Sequence, residues 1–210
     1  MTALVRETLR YLGNAASDRR LLDLINSVLG EVDANLRPRS ACKRLLICVQ
    51  PREVLCEGFR FQSAALSKAL AGCREAFFLA ATLGAEADML LRRYAAIDLP
   101  RAAVWQAACA AYLEAYLDRA EAALLAQVPG LYLRPRFSPG YGDFGVSNQR
   151  AMFALLDLER RLGLSLTDGC MMMPEKSVTA VIGIASAPCE APRGCAACAK
   201  EDCPNRRTNA

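Results

Sequence analysis

Apolar positions recur at helical spacing near the start of the chain, where Leu21, Leu22, Leu24, Ile25, Val28 and Leu29 line one side of a predicted helix over 18–29. Ser17 or Asp18 serves as its N-cap, and a shorter helical pattern covers 3–12. Residues 35–40, with Pro38, read as a connection. The run Leu45, Leu46, Ile47, Cys48, Val49 then predicts a strand over 43–49, and a loose alternation around Gly58 predicts a second strand or hairpin over 53–61. A helix over 62–70 precedes an apolar strand over 75–81. Thr82-Leu83-Gly84 closes that strand and opens a helix with Glu86 and Asp88 in its first turns, where acidic residues suit the helix dipole.

The longest helical pattern spans 98–128 and stops at Pro129-Gly130. Its alanines allow close approach of a neighbour. Trp105, Tyr112 and Tyr116 fall on one face and read as core, while Glu114, Asp118 and Glu121 fall on a neighbouring face and read as solvated. A strand over 131–137, a helix over 146–162 capped by Gly163, and strands over 164–172 and 178–184 complete the pattern. Helices mixed irregularly with strands predict an α+β fold rather than a doubly wound one. The length and a 53% hydrophobic content fit one domain over 1–185 and a tail over 186–210.

Charge changes this picture little. The 26 Lys+Arg against 22 Asp+Glu are scattered, and no aromatic-studded basic stripe appears, which argues against a nucleic-acid module. No apolar run reaches the roughly 18 residues that span a bilayer, and the N-terminus lacks the apolar core of a signal peptide, so a cytoplasmic protein without membrane attachment is expected. Histidine is absent, which removes Ser-His, Cys-His and His-metal mechanisms together. Cys42, Cys48, Cys56 and Cys73 lack ligand spacing and read as buried small hydrophobes.

The densest candidate chemistry lies in Arg136-Phe137-Ser138-Pro139-Gly140-Tyr141-Gly142-Asp143. Pro139 fixes one dihedral, and Gly140 and Gly142 permit positive φ, so the loop can bring amides close to a ligand. Arg136 offers a planar charge for a carboxylate or phosphate, and Tyr141 a flat ring. The same residues also suit a plain tight turn, and spacing alone leaves both readings open.

This octet, followed by 149–162, Gly163-Leu164-Ser165-Leu166-Thr167-Asp168 and Met173-Pro174-Glu175-Lys176-Ser177-Val178-Thr179, resembles the S-adenosylmethionine-binding activation domain of cobalamin-dependent methionine synthase. The likeness is clear over residues 131–185, and the whole chain is similar to free-standing proteins built like that domain. The resemblance implies a curved antiparallel sheet flanked by helices. It also implies that Arg136 holds the carboxylate of S-adenosylmethionine, that the Ser138 backbone binds near the same group, that Gly140 belongs to the same site, and that Tyr141 lies toward the corrin. In that family an oxidised cobalamin is rescued by one electron and a methyl group from S-adenosylmethionine. The corrinoid, folate and homocysteine modules are absent here. The expected partner is therefore a corrinoid-binding methionine synthase or methyltransferase without its own activation domain, served in trans. After Tyr141 the sequence departs from the family pattern, reading Gly-Asp-Phe-Gly.

Beyond Ile184 the composition changes again. Cys189, Cys195, Cys198 and Cys203 are separated by five, two and four residues in a segment too polar to form a core, as a thiolate-bound metal requires. Cys203-Pro204 leans toward an iron–sulfur cluster of the [4Fe-4S] type; zinc, or thiols that are free or disulfide-bonded, remain the alternatives. A cluster would let the protein deliver its own electron, received from a further donor. The alternative function is an iron–sulfur carrier or corrinoid-protein-binding module that does not bind S-adenosylmethionine.

Overall fold

A computed structural model of the chain describes residues 1–13 and 18–188, so the predicted metal ligands Cys189, Cys195, Cys198 and Cys203 lie outside the described residues. In chain order the elements are α1 (Ala3–Tyr11), α2 (Arg19–Asn35), β1 (Arg39–Leu46), β2 (Cys48–Gln50), β3 (Glu53–Cys56), β4 (Phe59–Gln62), α3 (Ala64–Ala69), β5 (Glu75–Thr82), α4 (Ala85–Ile97), α5 (Leu99–Leu125), β6 (Tyr132–Leu133), a 3-10 turn (Val146–Asn148), α6 (Gln149–Leu156), α7 (Leu158–Leu162), β7 (Ser165–Leu166), β8 (Met172–Met173) and β9 (Ser177–Ala185). This is a mixed α+β arrangement with antiparallel pairing. Among the described residues, no helix is long and apolar enough to cross a membrane. The contacts divide the chain into two units, one with Met1–Pro38 and Leu83–Arg119, the other with Arg39–Thr82 and Ala120–Cys189.

The first unit is helical. Thr2 and Asp18 cap α1 and α2 by accepting from the N–H groups of Val5 (3.3 Å) and Leu21 (2.7 Å), each satisfying a donor that the first turn leaves open. α2 runs past the predicted end at 29 and buries Ile25, Val28 and Val32. Its polar side is held by neighbours that local sequence cannot reveal: Tyr94 OH donates to Glu31 at 2.5 Å, Arg101 pairs with the same carboxylate, and Tyr112 OH donates to Asp33 at 3.1 Å. Trp105 is fully buried, as its stripe predicts. Its indole N–H donates to the Ala87 carbonyl at 2.9 Å, so burial leaves no donor unpaired.

In the second unit a four-stranded antiparallel sheet takes the order β1-β5-β9-β6. β5 and β9 are its central strands and are buried along nearly their whole lengths, which is why β5 reads as a continuous apolar run instead of an alternating one. A core of Phe78, Ala80, Val181, Leu66, Leu70, Phe144, Met152, Phe153 and Leu156 joins this sheet to α3, α6 and α7, and Phe61 of the β3–β4 hairpin packs between the rings of Phe78 (5.6 Å) and Phe144 (6.2 Å). Each fully buried ring of this kind contributes about 1.5–3 kcal/mol.

Several sequence expectations are revised. The strands form sheets of four, three and two strands rather than a single sheet. The helix expected over 146–162 is interrupted at Asp157, whose left-handed backbone (φ 52°, ψ 51°) separates α6 from α7. The strand expected over 164–172 is a hairpin of β7 and β8, with Thr167 accepting from Met171 N–H at 3.1 Å to close the turn. Cys56 and Cys73 are buried as expected, but Cys42 is half-buried and Cys48 exposed.

Candidate functional site

The octet is delivered by β6, but not as a simple continuation of it. Leu133 pairs with Ile184, and Arg134 N–H donates to the Gly183 carbonyl at 2.8 Å. Pro135 has no N–H to contribute. The ladder resumes at Phe137, which exchanges both backbone bonds with Val181 (3.0 Å and 2.9 Å). The register of Leu133 on Ile184 would have set Arg136 opposite Val181, so one extra residue is accommodated in a bulge at Pro135-Arg136. Because side chains alternate along a strand, that one residue decides which one faces inward. Phe137 packs on the core beside Phe144 (6.1 Å between centroids), and Arg136 is turned to the other side.

There Arg136 meets Glu121 of α5: Nη1 donates to Oε2 at 2.8 Å, with the two side chains 21% and 25% exposed. Glu121 was expected to be solvated. It is instead a neighbour of the candidate site that sequence reasoning missed, because nothing local couples a helix residue to a partner fifteen positions later.

Beyond Phe137 the chain folds back tightly. Tyr141 N–H donates to the Ser138 carbonyl at 3.1 Å across Pro139-Gly140, with Gly140 at φ 103°, a turn that requires glycine in its third position. Gly140 N–H donates to the Phe144 carbonyl at 2.6 Å. Two amides read from sequence as ligand-facing thus close the loop on itself, whereas among the described residues the Ser138 N–H has no backbone partner. Tyr141 remains 57% exposed, its ring set edge-on to Phe137 at 6.0 Å.

Asp143 anchors the far end of the loop. Its carboxylate accepts from Ser63 Oγ (2.5 Å) and from the N–H groups of Ala64 (2.8 Å) and Ala65 (3.0 Å), capping α3 from eighty residues away. The Ser63 hydroxyl, then the two amides, hold its pKa down at about 2. A larger residue at Gly142 would be crowded, since its Cβ would sit 3.0 Å from that of Ala65, and strained by the positive φ of 55°. At the end of β5 the Thr82 hydroxyl accepts from Ser177 Oγ at 2.8 Å. Arg136, Ser138 and Tyr141 therefore lie together on one short loop fixed to β9 at one end and to α3 at the other.

Residues 116–190, which include Glu121 and the whole octet, match the family model of the vitamin B12 dependent methionine synthase activation domain. A solved structure of the MetH reactivation domain bound to AdoHcy superposes with a TM-score of 0.61 at 17% sequence identity, covering 79% of this chain and 64% of that one. At that identity the likeness is one of fold, and the chain spans just under two thirds of the length of that structure. No curated protein matches the chain significantly. The resemblance to the activation domain, read first from the octet, is thus shown by both the family model and the fold.

Proposed function

We propose, with the likeness to the activation domain as premise, that this chain binds S-adenosylmethionine at the 136–141 loop and serves the reductive reactivation of a corrinoid methyltransferase. The observation that carries this reading is the bulge at Pro135-Arg136, which turns a half-buried arginine away from the core onto a loop pinned by Phe137 and Val181. A guanidinium so held suits the ligand's carboxylate, the Ser138 N–H suits the same group, Gly140 permits the turn, and the exposed Tyr141 ring suits the flat macrocycle of a partner. S-adenosylmethionine supplies a methyl group whose bond to sulfur breaks as one to the reduced cobalt of the partner's corrinoid forms, with S-adenosylhomocysteine released. One electron from a donor must first reduce the oxidised cobalt. The chain's own residues bind and orient; no side chain has to accept a proton, which suits a protein without histidine.

In this proposal the chain acts in trans as a reactivation subunit, and residues 1–185 form the activation-domain-like part. Cys189, Cys195, Cys198 and Cys203 of the 186–210 tail hold an iron–sulfur cluster, with zinc as the alternative. Iron, zinc and acid-labile sulfide content of anaerobically purified protein tests the tail. Titration with S-adenosylhomocysteine, followed by assay of methyl transfer to a corrinoid partner under reducing conditions, tests the rest. Failure of both binding and transfer overturns the proposal.

A second reading is favoured by the inward-turned amides of Gly140 and Tyr141: a corrinoid-protein-binding or electron-carrying module on the same fold without S-adenosylmethionine. Tight association with a corrinoid protein in the absence of any S-adenosylhomocysteine binding distinguishes it.

A further inference from the structure

The Arg136–Glu121 pair sets a guanidinium and a carboxylate 2.8 Å apart, each about three quarters withdrawn from water. A site built only to hold a carboxylate has no use for a second carboxylate at that distance, since it repels the ligand and occupies part of the fork. A zwitterionic amino acid end is different, because it carries an anion and a cation on the same carbon. We propose that Glu121 is a specificity-determining residue of the loop: Arg136 takes the α-carboxylate of the ligand while Glu121 takes its α-ammonium, so the pair selects molecules carrying both charges.

This rests on the reading of the loop as an S-adenosylmethionine site and extends it to a residue outside the octet. Several features of the structure support it. A guanidinium offers five donors, so holding Glu121 through Nη1 is compatible with a ligand carboxylate on the same group. Partial burial weakens screening, so a ligand carrying the carboxylate without the ammonium meets an effective repulsion from Glu121. Both partners also have defined backbones, Glu121 within α5 and Arg136 in the bulge, so the spacing of the charges is set before a ligand arrives. The same carboxylate also attracts a sulfonium ligand, whose overall charge is positive.

The test compares three ligands by calorimetry on the full chain: S-adenosylhomocysteine, its analogue lacking the α-amino group, and its analogue lacking the carboxyl group. The expected result for the native protein is tightest binding of the zwitterion. In Glu121→Gln, which keeps shape and hydrogen bonding while removing the charge, affinity for S-adenosylhomocysteine falls about tenfold and affinity for the des-amino analogue is unchanged or rises. Because the readout is a ratio between ligands, a partly unfolded variant cannot imitate it, and Glu121→Asp should restore the native preference in part. Equal loss for both ligands in Glu121→Gln overturns the inference and leaves Glu121 as a prop for Arg136. No change in either overturns it as well. Absence of S-adenosylhomocysteine binding by the native protein instead overturns the reading of the loop, and the inference with it.

Discussion

Thr179 Oγ1 donates to Gln149 Oε1 at 2.7 Å with both side chains buried, so the strand carrying Val181 is tied to the first turn of α6 through a polar bond inside the core. Thr179→Val keeps the shape of the strand residue and leaves the glutamine oxygen without its donor. The expected cost is about 1–3 kcal/mol, whereas the double variant Thr179→Val/Gln149→Leu should recover much of it, because removing both partners leaves nothing unpaired. Urea unfolding of the single and double variants measures the difference. Equal stability of single variant and native protein refutes the role given to the bond.

Gly183 occupies the point where β9 passes closest to its surroundings. A Cβ there would lie 2.7 Å from Cys73 Sγ, 2.8 Å from Leu70 Cδ2 and 3.1 Å from Arg134 Cγ. Gly183→Ala should therefore destabilise by about 1–3 kcal/mol through overpacking. Since Arg134 precedes the bulge, ligand binding at the loop should weaken along with the unfolding midpoint. A midpoint equal to that of the native protein would contradict the packing described.

Asp143 has a folded pKa lowered to about 2, so its contribution to stability is present above the usual carboxylate range and is lost as pH falls through that range toward 2. Asp143→Asn should lower the melting temperature near neutral pH, and the gap to the native protein should close on acidification. A gap that stays constant across that window would remove the carboxylate from the account of the loop.

Burial pushes the thiols of Cys42 and Cys56 up to about 11, with Arg161 opposing the effect at Cys42. Cys48 is exposed. At mildly alkaline pH iodoacetamide should modify the peptide bearing Cys48 well before those bearing Cys42 and Cys56, since the thiolate is the reacting species. Peptide mass mapping over time reads the order directly, and prior labelling of Cys42 or Cys56 would contradict the burial assigned to them.

Arg136→Ala should reduce affinity for S-adenosylhomocysteine by about ten- to a hundredfold, the range expected when a charge-assisted bond to a carboxylate is removed. Calorimetry on the variant checks this. Native-like binding would assign Arg136 to structure alone.

What the sequence disclosed and what it hid divide along physical lines. Long elements such as α5, with its helical spacing, and β5, with its unbroken apolar run, were legible because their patterns are set by burial along their own length. The octet was legible because Pro139 and Gly140 constrain the backbone locally. The bulge at Pro135-Arg136 needed the register of β9, the partnership of Glu121 with Arg136 joins a helix to a loop, and the cap that Asp143 places on α3 crosses most of a unit; each depends on a partner distant in sequence. The break at Asp157 was hidden for another reason, since Met152, Leu155, Leu156 and Leu162 continue a helical apolar pattern straight across it.

The proline in the bulge has a consequence for how molecules meet in solution. β6 is the outermost strand on its side of the sheet and only two residues long, and the residue that would offer the next amide pair is Pro135 in a kinked backbone. At the opposite margin β1 carries Arg39, Lys43 and Arg44. Neither rim presents a long, flat, uncharged row of donors and acceptors to another chain. The feature that aims Arg136 therefore also helps the protein resist growing into fibrils, and substituting Pro135 would weaken both properties together.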